Sequence, residues 1–312
     1  GHDVWTEGSH GAPPLAVLVA RTAHYSIDRA VRTLGWGEGG AVAVAVDAGY
    51  RLDPSDLARA HAVALAEGRR PIAVVASAGS TATGAYDPLE PIADFCAAHG
   101  LWLHVDGAHG AAAALSPLHA HRVRGLERAD SIVWDAHKLL AMPALCTAVL
   151  YRDAEHAYGA FAQEASYLFA RERQWWNLGL RTLECTKRMM GSIVYACLRA
   201  HGVGWFRDYV ERVFALAAAL AARLEAAADF ELALTPEANI VCFRYRPVSG
   251  PMPGPDLDAL QAAVRTRCRD RGEVYFLDTL LGGERWLRTA VMNPLTTGVE
   301  LDALLDAIRA AA

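Results

Sequence analysis

Short runs of consecutive apolar residues alternate along this chain with segments in which apolar residues recur every three or four positions. Such runs are typical of buried strands, whereas the second spacing is typical of helices that bury one face. The runs predict strands at Ala16 to Ala20, Ala41 to Val46, Pro71 to Ser77, Gly100 to Asp106, Ser131 to Trp134 and Leu145 to Arg152. Helices are predicted between them, from an N-cap at Ser26 to Gly35, from Asp53 to about Glu67, and from Leu89 to His99. This alternation indicates a largely parallel sheet with right-handed crossovers.

The pattern changes in the last third of the chain. Two long helices are predicted first, from about Leu178 to His201 and from Trp205 to Ala227, with Gly202 between them. After these helices, strands and helices are both predicted. The strands are at Phe230 to Leu234, Ile240 to Tyr245, Val274 to Leu277 and Trp286 to Met292. The helices are at Pro255 to Arg271 and Gly298 to Ala311. We therefore expect an α/β protein with a large domain in residues 1–202 and a smaller α+β domain in residues 203–312. Residues 163–177 show no period and are expected to form an ordered loop near the functional site.

Composition and charge narrow the class of partner. The 312 residues carry a net charge of -5 and no basic run, which argues against nucleic acid as the main partner. No apolar run reaches the roughly 18 residues of a membrane span, so none is predicted. The six cysteines lack a CxxC spacing and are expected to be reduced, as in a cytoplasmic protein. We predict no metal site.

Lysine is rare among the basic residues of this chain. Only Lys138 and Lys187 are lysines among the 30 basic residues, and the rest are arginines. Lys138 follows a predicted strand that ends beside Asp135 and His137. A primary amine can lose its proton and attack a carbonyl carbon, whereas a guanidinium stays charged at any working pH. We therefore favour a Schiff-base lysine over a surface lysine, for which the neighbouring His137 and apolar residues are poor surroundings.

A carboxylate ends the neighbouring predicted strand. Asp106 and Lys138 should both lie at the carboxyl edge of the sheet, where open α/β sheets bind ligands. Taken alone, Asp106 is as well explained as a turn-capping residue. Together, a lysine for an aldehyde and an aspartate for a protonated ring nitrogen are the two groups that a pyridoxal phosphate site needs. An imidazole such as that of His24 can cover the ring by stacking.

Four motifs extend this interpretation, because they follow one another in a familiar order. They are His24 in Thr22-Ala-His-Tyr-Ser26, the Ser80-Thr81 loop, His104-Val-Asp-Gly-Ala-His109, and Asp135-Ala-His-Lys138. In this the chain resembles the group II pyridoxal-phosphate-dependent amino acid decarboxylases, the relatives of the aromatic amino acid, glutamate and diaminobutyrate decarboxylases. The resemblance implies an aspartate aminotransferase-like fold (fold type I), a homodimer, and decarboxylation of an L-amino acid, a small-molecule substrate.

The resemblance also implies a role for each matching residue. Lys138 would form the Schiff base, Asp106 would pair with the ring nitrogen, and His24 would stack on the ring near the substrate carboxylate. The remaining expected contacts are Ala108 on the opposite ring face, Ser80 or Thr81 on the cofactor, His137 on its phosphate, and Arg288 on the substrate carboxylate. A surface-paired strand arginine is the alternative interpretation of Arg288.

Two departures from the family pattern leave questions open. No glycine- and serine-rich phosphate segment precedes His24, so we expect the chain to be N-terminally incomplete and poorly active alone. The short stretch from Ala170 to Trp176 has no tyrosine, although Tyr167 lies just upstream, so the proton donor is undetermined. The alternatives are transamination, decarboxylation coupled to oxidative deamination with an aldehyde product, and a non-catalytic fragment or homologue. A nucleotide-binding protein is disfavoured because no GxGxxG or GxxxxGK[ST] follows a predicted strand.

Overall fold

A computed structural model describes residues 4–161, 176–184, 186–248, 250 and 252–312. Most of the predicted loop at 163–177, together with Tyr167 and Cys185, lies outside the described residues. The other five cysteines are free thiols, and Cys197 is the one among them that is not fully buried.

The first sheet has six strands in the order β2-β1-β3-β4-β5-β6. Their bounds are β1 (Leu15–Ala20), β2 (Ala41–Val44), β3 (Arg70–Ser77), β4 (Trp102–Asp106), β5 (Ser131–Asp135) and β6 (Thr147–Tyr151). All neighbouring pairs are parallel except β5 and β6, which are antiparallel. Because β4 and β5 are parallel neighbours, Asp106 and the residues after Asp135 emerge at the same edge, as the sequence predicts.

Helices connect and cover these strands. Their bounds are α1 (Val4–Glu7), α2 (Ser26–Thr33), α3 (Leu57–Ala66), α4 (Leu89–His99) and α5 (Glu155–Ala160). The N-cap predicted at Ser26 is wrong by one residue: Tyr25 occupies that position, and no side chain caps the helix. Asp53 does initiate its segment, since its carboxylate accepts the N–H of Ser55 at 2.9 Å ahead of a short 3-10 turn. Gly100, with φ 64°, ends α4 in the left-handed conformation that glycine adopts at low cost.

One long helix, α6 (Met190–Ala226), contributes to both halves of the molecule. The helix predicted from Leu178 is wrong at its start, because residues 178–180 form one 3-10 turn and α6 begins only at Met190. The break predicted at Gly202 is confirmed by its φ of 72° and ψ of 169°. Beyond this break, residues 209–214 pack into the core under the first sheet, and residues 216–224 pack into a second core.

The second sheet is antiparallel and surrounds that second core. Its order is β7-β8-β10-β9, with bounds β7 (Phe230–Leu232), β8 (Ile240–Tyr245), β9 (Leu277–Leu281) and β10 (Glu284–Ala290). It packs with α7 (Gly254–Arg271) and α8 (Gly298–Ala311). The strand predicted at Val274 to Leu277 is wrong, because β9 starts where that prediction ends. Gly282 and Gly283, at φ 62° and 86°, form the tight turn that pairs β9 with β10.

Among the residues that the structure describes, no helix is both long enough and apolar enough to cross a membrane.

Candidate active site

A cavity of about 440 Å³ opens at the carboxyl ends of β4 and β5. Five of the residues singled out in the sequence line it, namely His24, Thr81, Asp106, Ala108 and Lys138. The other lining residues are Ser26, Ile27, Ala30, Gly79, His104, His109, Val133, Asp135 and Val149. Ser80, His137 and Arg288 do not line the cavity, but Ser80 and His137 each adjoin a lining residue and Arg288 is hydrogen-bonded to one.

Lys138 reaches the cavity from the turn that follows β5. Its backbone N–H donates to the carbonyl of Asp135 at 3.2 Å, which closes this turn. Its Nζ lies 3.0 Å from Oδ2 of Asp135, and 36% of the side chain is exposed. The amine is therefore accessible from the cavity while being held by a neighbouring carboxylate.

Asp106 ends β4 on the adjacent strand. Its Oδ1 accepts the backbone N–H of Ala108 at 3.1 Å, which fixes the carboxylate at the strand end. Within the described part of the chain, no hydrogen bond to its Oδ2 is formed. His104, two residues earlier, lines the same cavity because side chains two apart on a strand point to the same side. Its Nδ1 lies 2.8 Å from the hydroxyl of Ser131, and burial lowers the pKa of this imidazole.

His24 occupies the turn between β1 and α2. Its Nδ1 accepts the backbone N–H of Ser26 at 3.3 Å and lies 2.8 Å from the Ser26 hydroxyl. The Ser26 side chain is thus used to orient an imidazole rather than to cap the helix. The ring centroid lies 4.1 Å from that of Tyr25, so the tyrosine supports the imidazole at the cavity wall.

The loop after β3 connects the cavity to the second sheet. Ser80 is 4% exposed, and its hydroxyl lies 2.9 Å from that of Thr83. Arg288, on β10, donates from Nε to the carbonyls of Thr81 at 2.9 Å and Ala82 at 3.2 Å. Burial lowers the pKa of this guanidinium. Arg288 therefore holds the Thr81 loop instead of forming an ion pair on the surface.

His137 lies beside the lysine turn. Its Nδ1 accepts the backbone N–H of Cys146 at 3.1 Å, and its Nε2 lies 3.6 Å from Oδ2 of Asp135. The imidazole thus braces the segment that leads into β6, and it flanks the same carboxylate that holds Lys138.

His109 was not assigned a role from the sequence, although it lines the cavity. Its Nε2 lies 2.7 Å from Oδ1 of Asn239, and the Asn239 amide donates to the carbonyl of Val291 at 3.0 Å. Burial, with nearby Lys138, lowers the pKa of His109 to about 4, so the imidazole is neutral near pH 7. His104 could have been found from its alternation with Asp106, whereas the Asn239 partner of His109 lies 130 positions away and gives no local signal.

The chemistry of these groups fits the two reactive ends of a pyridoxal ring. A primary amine and a carboxylate with an unused oxygen face one cavity from neighbouring strands. The phosphate end has fewer candidate partners among the described residues, of which Gly79 and Thr81 line the cavity.

Comparisons with known proteins agree with this arrangement. The pyridoxal-dependent decarboxylase conserved domain matches residues 12–246. The chain is 34% identical over 317 residues to cysteine sulfinic acid decarboxylase of Rattus norvegicus, covering 97% of this chain and 64% of the relative. It is 31% identical to acidic amino acid decarboxylase GADL1 of Mus musculus, covering 98% of this chain and 58% of the relative.

Solved structures give the same result. The crystal structure of mouse CSAD in its apo form superposes with a TM-score of 0.92 at 31% identity, covering 99% of this chain and 66% of that one. Oryza sativa TDC with PLP and tryptamine superposes with a TM-score of 0.91 at 26% identity, covering 98% and 64%. The chain thus spans less than two thirds of the length of these relatives. The α/β fold of type I is confirmed, and the chain belongs to the pyridoxal-dependent decarboxylase family.

Proposed function

We propose that this chain forms the catalytic part of a pyridoxal-phosphate-dependent carboxy-lyase that converts an L-amino acid to its amine and carbon dioxide. The observation that carries the proposal is that Lys138 and Asp106 share one cavity at the ends of neighbouring strands. When bound, the cofactor supplies an electron-withdrawing ring that stores the electron pair left behind by carbon dioxide.

The protein would hold that ring through four side chains. Lys138 would bind the aldehyde carbon through its amine, and Asp106 would keep the ring nitrogen protonated through its unused oxygen. His24 would cover one ring face, supported by Tyr25 at 4.1 Å, and the small side chain of Ala108 would pack on the other. These residues come from different loops that the parallel sheet brings to one edge.

Four further residues would complete the site, one of them in the cavity lining and three beside it. Thr81 and Ser80 would contact the cofactor, and His137 would help to hold its phosphate. Arg288 would bind the substrate carboxylate, since two carbonyl contacts already fix its guanidinium beside the Thr81 loop. A bound carboxylate would neutralise a guanidinium that is partly removed from water, which favours such a pair.

We propose an acidic amino acid as the first substrate to assay. The support is that six relatives are decarboxylases of cysteine sulfinic acid or of acidic amino acids. Cysteine sulfinate, aspartate and glutamate should be compared with aromatic amino acids, and the product should be analysed. An amine supports the proposal, whereas an aldehyde or a keto acid supports the oxidative or transaminating alternative.

The central test uses the two lysines. Pyridoxal phosphate is added to the wild-type protein, the adduct is reduced with borohydride, and the labelled peptide is mapped. We expect the label on Lys138, its loss in Lys138→Arg, and its retention in the matched Lys187→Arg, because only a primary amine forms the adduct. Label on Lys187 in the wild type, or label that persists in Lys138→Arg, would refute the assignment.

We also propose that the protein works as a homodimer in the cytoplasm. The family resemblance and the free thiols support this, as do two apolar side chains of β6, Val149 and Leu150, which are 51% and 47% exposed. Light scattering of the purified protein tests the dimer.

A further inference from the structure

Asp135 is a nearly buried carboxylate beside Lys138. It is 9% exposed and lies at the end of β5. Its Oδ1 accepts the hydroxyl of Thr147, from β6, at 2.6 Å. Its Oδ2 lies 3.0 Å from Nζ of Lys138 and 3.6 Å from Nε2 of His137. The threonine therefore fixes the carboxylate in one orientation and leaves the second oxygen for the lysine.

We propose that Asp135 is the positioning residue for Lys138, an inference that rests on the proposed function of that lysine. Through the 3.0 Å ion pair, Asp135 holds the side-chain nitrogen at the cavity wall whenever the amine is not bonded to a carbonyl. Attack on a carbonyl needs the lone pair of a neutral amine. The ion pair at 3.0 Å must be broken before the amine can attack, so Asp135 fixes the place of the amine and also slows its reaction.

The other titratable groups around the cavity do not replace this pairing. Asp106 faces the cavity from β4 with Oδ1 bonded to Ala108, and His24 faces it from the turn before α2. Burial lowers the pKa of His104 and of His109, which keeps both imidazoles neutral near pH 7. His137 flanks Asp135, and Arg288 donates to the Thr81 loop. Among the described residues, Asp135 is the carboxylate in ion-pair contact with Lys138.

The chain contains a matched control for this pair. Lys187 lies 3.3 Å from Glu184, also three residues earlier, but that glutamate side chain is 64% exposed. An exposed pair of this kind contributes little because water and salt screen it. The two lysines therefore differ mainly in the burial of their carboxylate.

The experiment is trace acylation of the cofactor-free protein with acetic anhydride, read for both lysines by peptide mass spectrometry. Asp135→Asn removes the charge and keeps an oxygen that can accept the Thr147 hydroxyl. We expect labelling of Lys138 to rise roughly threefold to tenfold near pH 8, and this factor to shrink to between about one and three near pH 11, where most of an ordinary lysine is already neutral. Asp135→Glu should restore the slow labelling of Lys138. Glu184→Gln should change the labelling of Lys187 by less than about twofold.

The dependence on pH separates positioning by charge from a structural effect. If Asp135→Asn merely loosened the turn, Lys138 would label faster by the same factor at every pH, and this result would overturn the proposal. An unchanged rate near pH 8 would overturn it as well. Should the variant not fold, the wild type suffices, because its ratio of Lys138 to Lys187 labelling should rise about threefold or more between pH 8 and pH 11. A flat ratio contradicts the proposal. No cofactor or substrate is used, so failure here is distinct from failure of the proposed function.

Discussion

The contact between His109 and Asn239 should make the stability of the protein fall in mild acid. His109 is placed as a neutral imidazole, with Nε2 2.7 Å from the Asn239 side-chain oxygen. That oxygen is turned toward His109 because the amide nitrogen of Asn239 donates to Val291 at 3.0 Å. Protonating the imidazole in this half-buried site adds a charge near Lys138 and Arg288, both of which oppose it.

The magnitude follows from the shift of the pKa. Burial lowers the pKa of His109 from 6.5 to about 4. Because the folded value is depressed, the unfolded chain binds more protons between these two values, and the free energy of unfolding decreases as the pH falls through this window. At about 1.4 kcal/mol per pKa unit, the loss is roughly 2 kcal/mol at pH 5 and about 3 kcal/mol by pH 4. Above pH 6.5 the full contribution is present.

The assay is urea unfolding followed by circular dichroism from about pH 4.5 to pH 8, for the wild type and His109→Gln. Other groups titrate in this range, including His104, whose pKa burial also lowers. The difference between the two proteins isolates His109, because the glutamine does not titrate. His121→Gln changes an exposed histidine and serves as the matched control.

We expect the free-energy difference between wild type and His109→Gln to change by about 2 kcal/mol between pH 7 and pH 5. For His121→Gln, the difference should stay constant within about 0.5 kcal/mol. Parallel curves for wild type and His109→Gln would refute the reasoning, since they would mean that His109 takes up protons equally in both states.

Two further predictions concern arginines. Arg244→Met should lower the free energy of unfolding by about 3 kcal/mol, because its 3%-exposed guanidinium lies 2.9 Å from Asp258 and 3.2 Å from Glu284. Urea unfolding measures this loss. In the control Arg246→Ala, whose partly exposed ion pair with Glu231 spans 3.3 Å, the free energy of unfolding should fall by less than about 1 kcal/mol. Arg288→Lys should raise the substrate KM about tenfold or more while the cofactor spectrum is kept, because a bidentate carboxylate contact is lost; unchanged steady-state kinetics would contradict the role proposed for Arg288.

The strands of the first sheet were predictable because each is a continuous apolar run that the parallel interior requires. The antiparallel direction of β6 could not be predicted, because the apolar residues of Thr147–Tyr151 carry no information about strand direction. The late start of α6 was missed because Leu180 and Leu183 lie three residues apart, as on one face of a helix, before Met190. The position of β9 could have been predicted from Gly282-Gly283, a pair that favours a two-residue hairpin turn.

The residues of the site also fall into those whose placement could be predicted from the sequence and those whose contacts could not. The placement of Lys138 and Asp106 at one sheet edge followed from strand ends alone, which are local features of the sequence. The contacts of Arg288 and His109 did not, because their partners lie 207 and 130 positions away and depend on how the second sheet packs. The ion pair of Asp135 was hidden for another reason. Its spacing of three residues is local, but whether the two side chains meet depends on the turn after β5.

The part of α6 that follows Gly202 couples the thermal unfolding of the two sheets. We propose residues 1–202 and 203–312 as the two domains, yet Tyr209 to Phe214 fill the core beneath the first sheet, while Leu216 to Leu224 fill the second. Neither core can lose this helix without exposing apolar surface in both. The two sheets should therefore unfold cooperatively, as one calorimetric transition whose van't Hoff and measured enthalpies agree.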